Sequence, residues 1–440
     1  MGTRGDGALT RWLKRTSPQW FATVAIAAAF SAYFCMYGFR KPFAAAAWEG
    51  SIDLPGGATL DLKTALIIAQ VLGYCLSKFL GIKAISEMSG RRRGLAIVAL
   101  IAIAELALVA FALTPSPWSI AWLFVNGLPL GMVWGLVFGF LEGRRLSEVL
   151  GAGLSASYIV AAGFVKTVGS WLLGAGVPEV WMPALTGLLF LPPLLVAVWT
   201  LGQLPPPSLE DELLRTRRTP MDAAARRRFF ASFAPGLLLL TGLYVLLTAF
   251  RDFRDNFAPQ IWEALGYAKT PSIMTTSEIP VAFGVLLALA SIMRVRDNRR
   301  ALLVVHLLMA GGSLMIIVAT AAWQVGVLAP VPWMILVGLG LYLGYVPFGC
   351  VLFDRLIAAV GFAGTAGFMI YVTDAFGYVG SVALLLYKSF GQASLSWLEF
   401  FVGAAYTTGG VSLACFLGAL AYFTRRTSPT PATPQPAALE

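Results

Sequence analysis

Long apolar stretches recur along nearly the whole 440-residue chain, and no other feature restricts its fold so severely. A run of about 18 or more apolar residues is long enough to cross a bilayer as a helix. Inside hydrocarbon every backbone N–H and C=O must find its partner within the protein, which leaves only α-helices or closed β-barrels. The runs here are continuous, without the alternation that barrel strands require, so helices are expected. Only 12% of the residues are charged, against about 25% in a soluble domain. Twelve spans are read: Gln19–Trp48, Asp61–Ile82, Gly94–Thr114, Trp118–Phe140, Ala152–Leu173 and Met182–Leu201, then Pro235–Ile261, Ser272–Met293, Ala301–Trp323, Val325–Phe353, Ala359–Tyr387 and Trp397–Phe423. The expected fold is an all-α membrane protein, with twelve transmembrane helices in two pseudo-symmetric six-helix bundles.

The longest polar stretch, Pro205 to Phe233, divides the two sets of spans. This gives an N-terminal segment over 1–18, a bundle over 19–202, a linker over 203–234, a second bundle over 235–423 and a tail over 424–440. The linker is charged in blocks (Glu210-Asp211-Glu212, Arg217-Arg218, Arg226-Arg227-Arg228), and Met221–Phe233 suits a basic amphipathic helix on the membrane surface. The Pro- and Thr-rich tail after Arg426 is expected to be disordered. No cleavable signal peptide is expected, because Met1 to Ser17 is polar and the first apolar run is too long.

The net charge of +10 is distributed to one side. Lys83, Arg91-Arg92-Arg93, Arg144-Arg145, the linker arginines, Arg294, Arg296, Arg299-Arg300, Arg355 and Arg425-Arg426 fall together when loops are taken alternately. The other side has only Lys63, Lys269 and Lys388 in its loops. Positive loops stay inside, so both termini and the linker are expected in the cytoplasm and the protein in the inner membrane. The same charge suits lipid contact and needs no nucleic acid. Cys35, Cys75, Cys350 and Cys415 all lie in apolar runs with no CxxC spacing, and the single His306 is not near them in sequence. No disulfide framework, metal site or cofactor is expected, and His306 reads as packing or a hydrogen-bonded core residue. There is no Walker A sequence, no GxSxG elbow and no soluble catalytic domain, so neither an ATP-driven pump nor an enzyme is expected.

The chain also repeats itself. Phe39-Arg40 in span 1 matches Phe250-Arg251 in span 7 at an offset of 211 residues, and the same offset sets Val168-Gly169-Ser170 on Val379-Gly380-Ser381. Two repeated six-span halves around a midplane site is a carrier's plan. Gly127, Gly131, Gly135, Gly139 and Gly143 recur every fourth residue, with a looser Gly340, Gly344, Gly349 series in span 10. Such a face lets another helix pack closely, either as a fixed seam or as one that slides.

Charges inside spans are costly, and usually face a cavity or each other. Arg40 and Arg251 form a repeat-related pair whose guanidinium forks match phosphate or carboxylate, the alternatives being internal salt bridges or snorkelling. Lys78 is a third candidate contact, or a residue snorkelling to the cytoplasmic surface. Arg254 has Asp252 and Asp255 beside it, and structural pairing with them is expected. Glu105, Glu142, Glu278 and Asp374, with Lys166, are candidates for coupling or gating, since a desolvated carboxylate can carry a proton. The acids can equally neutralise Lys166, and Glu142 suits pairing with Arg144 or Arg145.

With these residues in view, the sequence resembles the major facilitator superfamily. Glu87-Met88-Ser89-Gly90-Arg91-Arg92 after span 2 is similar to the superfamily's Asp-Arg-x-Gly-Arg-Arg signature, with Lys83 where the leading glycine belongs and Met88 for the first arginine. Asp297-Asn298-Arg299-Arg300 looks like a degenerate second copy. Within the superfamily the likeness is to organophosphate:phosphate antiporters, the glycerol-3-phosphate and hexose-phosphate carriers. It rests on Arg40-Lys41-Pro42-Phe43, on Tyr74-Cys75-Leu76-Ser77-Lys78-Phe79 and on Arg251 eight residues before Pro259. That resemblance implies phosphate held by Arg40 and Arg251 with Lys78 assisting. Val160 stands where that branch has its fifth-span histidine. The stretch Phe138 to Ser170 also looks like an uncharacterised bacterial family of the superfamily. The resulting expectation is a monomeric carrier for a small phosphorylated or carboxylated anion, coupled to phosphate or protons and surrounded by lipid. The alternative is a transporter-like receptor that binds its ligand without moving it.

Overall fold

The computed structural model describes residues 7–86, 90–144, 146–207, 223–360 and 366–426. The Glu87–Ser89 part of the signature loop, Arg145, most of the linker and the tail lie outside the described residues. A short α1 (Ala8–Leu13) precedes the six helices of the first half: α2 (Pro18–Met36), α3 (Leu62–Ser86), α4 (Gly90–Leu113), α5 (Ile120–Phe138), α6 (Ser147–Gly174) and α7 (Met182–Gly202). The second half has α8 (Ala223–Asn256), α9 (Ala258–Ala264), α10 (Ile273–Thr276), α11 (Glu278–Met293), α12 (Asn298–Gln324), α13 (Pro330–Cys350), α14 (Leu352–Val360), α15 (Ala366–Leu386) and α16 (Trp397–Arg426). Among the described residues, eleven helices are long and apolar enough to cross a membrane, and α15 takes the place of the remaining span. The protein is an integral membrane protein of two six-helix bundles.

The packing makes the internal repeat explicit. In the first half span 1 packs on spans 5 and 6, span 4 on spans 2 and 3, and span 3 on span 6. In the second half span 7 packs on spans 11 and 12, span 10 on spans 8 and 9, and span 9 on span 12. Each of these pairs reappears six spans later. The bundles meet where α3 packs on α15 and where α6 packs on α10, α11 and α13.

Glycines set the closest approaches. A side chain at Gly127 would run into the backbone of α3 at Gln70 and Tyr74, and one at Gly73 into the backbone of α5 at Phe124. Gly312 and Gly340 face each other's carbonyls in the same way between α12 and α13. The glycine series of span 4 is therefore a seam, although its members differ in what they touch. Gly139 faces the guanidinium of Arg93, and Gly143 takes a left-handed φ of 83° in the turn after the helix.

Three elements differ from the sequence expectation. Span 1 is not one helix kinked at Pro42: the α-helix gives way to a 3-10 turn at Tyr37–Phe39, and a second 3-10 turn follows at Pro42–Ala45. The freed carbonyls find side-chain donors there, so the backbone break is tolerated at depth. Gln70 Nε2 donates to Arg40 O at 2.8 Å and Asn126 Nδ2 to Phe39 O at 3.1 Å. Span 7 likewise stops at Asn256, and α9 restarts with Pro259 in its first turn, where a proline costs no hydrogen bond. Between spans 1 and 2 a two-stranded antiparallel hairpin pairs β1 (Ser51–Asp53) with β2 (Thr59–Asp61). The basic segment before span 7 is helical from Ala223 and bends at Phe233, two residues before Pro235.

Candidate functional site

Charged side chains that the apolar runs isolate in sequence converge between the bundles. Arg40 (between the two 3-10 turns of span 1), Lys78 (α3) and Lys166 (α6) come from the first half, and Arg251 (α8) and Asp374 (α15) from the second. They line three small adjoining cavities that also take in Lys41, Asp252, Arg254, Asp255 and Glu278. The cavity between Tyr74, Lys78, Arg251 and Asp374 has a volume of about 40 Å³, room for a few waters and too little for an organic substrate. This is a closed state.

Arg40 is 2% exposed and, among the described residues, has no ion-pair partner. Its guanidinium lies over the ring of Tyr74, 3.7 Å from the centroid, and 5.6 Å from that of Tyr378. Its Nε is buried without a hydrogen bond. Arg251 stands 5.7 Å from the same Tyr378 ring and 4.4 Å from that of Tyr345. Its Nη2 reaches Asp252 Oδ1 at 2.9 Å and Tyr378 Oη at 3.2 Å. Tyr378 thus sits between two arginines from opposite bundles. A cation–π contact contributes about 0.5–2 kcal/mol, whereas desolvating an unpaired ion costs several. Arg40 is held in place without a salt bridge of its own, and Asp252, the carboxylate in its cavity that acts on it, is bonded to Arg251 and Ser381.

Ion pairs tie the bundles on either side of this centre. Lys78 Nζ meets Asp374 Oδ2 at 2.8 Å, and Tyr244 Oη donates to Asp374 Oδ1 at 3.2 Å. Lys78 is therefore not snorkelling: it is buried and bridged to the other half. Asp255 takes Lys41 at 2.5 Å and Lys166 at 2.6 Å, and the Lys166 ammonium also donates to the Asp255 carbonyl. Lys166 is thus ion-paired with Asp255, with Glu278 acting on it across the shared cavity, and it is not bonded to Glu105, Glu142 or Asp374. Lys41 further donates to Asn256 Oδ1 at 2.8 Å. Beyond this cluster, Thr167 and Thr275 share a hydroxyl hydrogen bond of 2.8 Å across the bundles. At the other end, which carries the chain termini, Arg355 binds Glu148 at 3.0 Å and Asn298 at 3.0 Å.

Arg254 corrects another expectation. It pairs with Glu278 at 2.7 Å and donates to Met334 O at 3.1 Å, not with Asp252 or Asp255. Arg254 looks into its own bundle, Asp255 toward the first half, and Asp252 back to Arg251 and the Ser381 hydroxyl at 2.9 Å. Glu278 is consequently a counter-ion. Glu105 is buried between α4 and α7, away from the cavities. Glu142 is exposed on the turn after α5. Of the signature loop, Gly90 opens α4 and Arg92 is exposed on its first turn, nothing is described of the Arg91 side chain, and Glu87 lies outside the described residues. The neighbouring Arg93 is engaged, donating to the Gly139 carbonyl at the end of α5. His306 is a core residue, its Nδ1 2.8 Å from Leu302 O.

The sequence reading missed the aromatic cage. Tyr33, Tyr37, Tyr74, Tyr158, Tyr244, Tyr342, Tyr345 and Tyr378 line these cavities, eight of the chain's 13 tyrosines. One signal was available: Tyr33 and Tyr244 stand at the same 211-residue offset as the arginine pair.

The paired breaks, the matching bundles and a polar centre between them define the fold of major-facilitator-type transporters. Solved structures agree. The chain matches a D-xylose–proton symporter (TM-score 0.59, 11% identity, 89% of this chain and 96% of that one). It also matches a bacterial homologue of the human lysosomal transporter Spinster, inward-facing and unoccupied (0.60, 12%, 94% and 100%). A peptide transporter, POT, in complex with sulfate is similar as well (0.57, 16%, 92% and 94%). Identities this low carry the fold and nothing of the substrate, and none of the three points to the organophosphate branch. The chain belongs to a family of unknown function (DUF5690), whose model matches residues 42–426. No curated protein matches it by sequence.

Proposed function

We propose that this protein is a secondary active transporter that moves a small organic anion, phosphorylated or carboxylated, by alternating access between its bundles. The observation that carries this reading is Arg40: a buried guanidinium with no salt bridge of its own among the described residues, sharing Tyr378 with Arg251 of the other half, while Asp252 in the same cavity is bonded to Arg251 and Ser381. The charge count supports it. The three cavities hold six cations (Arg40, Lys41, Lys78, Lys166, Arg251, Arg254) and four carboxylates (Asp252, Asp255, Glu278, Asp374), a formal excess of two positive charges. An anion touching both arginines would bridge the halves, which is how binding at the centre becomes motion of the whole. The organophosphate likeness of the Arg40 and Lys78 motifs favours a phosphorylated substrate, with exchange for phosphate and proton symport both open. The excess of basic loops on one side supports a cytoplasmic position for both termini and an inner-membrane protein.

A thermal-shift screen of the purified protein against phosphates, sugar phosphates, carboxylates and neutral sugars tests the substrate class. Anions should stabilise it, and Arg40→Lys or Arg251→Lys should weaken that effect at least about tenfold, because lysine keeps the charge but loses the fork. Labelled-substrate counterflow in vesicles then separates carrier from receptor. Stabilisation by neutral compounds alone would overturn the anion reading.

A further inference from the structure

Glu105 is a buried acid that the central site does not use. It lies on α4 with 8% of its surface exposed, and both carboxyl oxygens are buried without a hydrogen-bond partner. The carboxyl occupies a slot left by Gly187 of α7, where any larger residue would strike Glu105 and the ring of Phe39. The elements packed on α4 here are α5, α7 and the 3-10 turn Tyr37–Phe39. Neither α5, α7 nor that turn contains a charged residue, and the one titratable group among them, Tyr37, lines the central cavities. Arg40 is turned onto Tyr74, and Lys41 is engaged by Asp255 and Asn256. A carboxylate in this slot would be an uncompensated buried ion, which costs far more than a neutral acid with unmade hydrogen bonds.

The slot is also mechanically placed. Phe39 is fully buried and directly precedes Arg40. Asn126 Nδ2 joins the Phe39 carbonyl at 3.1 Å to the Ala104 carbonyl at 3.0 Å, next to Glu105 in the chain. Gln70 Nε2 links Asn126 Oδ1 and the Arg40 carbonyl, each at 2.8 Å. The acid therefore backs the broken segment of span 1 that aims Arg40.

We propose that Glu105 is a proton-binding site, neutral at physiological pH, whose occupancy is linked to the seating of Phe39 and Arg40. Loss of the proton to water leaves a carboxylate that the slot between α4, α7 and Phe39 cannot hold, and span 1 shifts. The protonation itself stands alone; the linkage rests on the anion reading of Arg40.

Infrared difference spectroscopy of the full chain in lipid, wild type minus Glu105→Gln, tests the first part. At neutral pH the difference should show the carbonyl band of a protonated carboxylic acid. A carboxylate difference instead would overturn the proposal. Binding of sulfate, whose charge is constant over the range, tests the second part. Wild-type affinity should fall at least about tenfold as pH is raised through the disappearance of that band, while Glu105→Gln stays level. An equal fall in both proteins would overturn the linkage. Sulfate binding by neither at any pH would count against the Arg40 reading, leaving the infrared result to judge the proton site.

Discussion

Asp255 is one carboxylate shared by two lysines of the opposite bundle, Lys41 at 2.5 Å and Lys166 at 2.6 Å. Its removal leaves two buried ammonium groups facing each other, so the loss exceeds that of an ordinary surface pair and falls in the range of about 3–5 kcal/mol for breaking a buried one. The cost is borne by the closed state, since the lysines are hydrated once the bundles part. Asp255→Ala should therefore lower the melting temperature of the purified protein and raise the maleimide reactivity of a cysteine placed at Thr167. Unchanged reactivity would mean that the cluster does not hold the halves together. At this scale the sequence revealed the charged residues but not their partners. Arg40, Arg251 and Lys78 stand out because charge in an apolar run is conspicuous, whereas Asp374, which meets Lys78 in the fold, stands far from it along the chain. The tyrosines stayed hidden for the opposite reason: in a hydrophobic run a tyrosine looks like packing, and only the geometry turns Tyr74 and Tyr378 into supports for guanidinium groups.

Helices α3 and α5 (spans 2 and 4) are fused by the glycines that the period of four exposed. Gly127 and Gly131 meet the backbone or side chains of Gln70, Tyr74 and Ser77, and Gly73 returns the contact to Phe124. Tyr74 and Lys78 project from this seam into the site, so its spacing sets where they stand. Gly127→Leu has no flexible neighbour to displace, because the obstacle is backbone. It should cost at least about 3 kcal/mol, at the upper end of overpacking, and appear as poor recovery of folded protein by size-exclusion chromatography. Gly349→Ala, where there is open space, should be recovered as wild type. The spacing alone does not separate these cases: Gly139 faces an arginine and Gly143 turns the chain. The break in span 1 was hidden for a related reason. Pro42 suggested a kink, but the helix changes at Tyr37 because Gln70 and Asn126, on two other helices, receive the carbonyls that the change sets free.

Across the whole molecule, the repeat is expressed in packing more strongly than in residues. The pairing of helices in one half recurs in the other, while few side chains beyond the Phe-Arg, Tyr33–Tyr244 and Val-Gly-Ser matches are shared. The proposed carrier function uses that difference: equal frameworks can rock about a common centre, and unequal linings can bind an asymmetric ligand. In the present state contacts join the halves at both ends, Arg355 with Glu148 at the end bearing the termini and Thr167 with Thr275 at the other. Alternating access requires that each end open while the other stays shut. The Thr167 and Thr275 hydroxyls are 2.8 Å apart, so cysteines there fall within reach of a disulfide. Thr167→Cys with Thr275→Cys, in a chain whose four native cysteines are replaced, should cross-link on oxidation and hold that end closed. Counterflow should then stop and return on reduction, while anions still produce a thermal shift through the end that remains free to open. Undiminished counterflow by fully cross-linked protein would show that the halves need not separate there, and the rocking mechanism would fail.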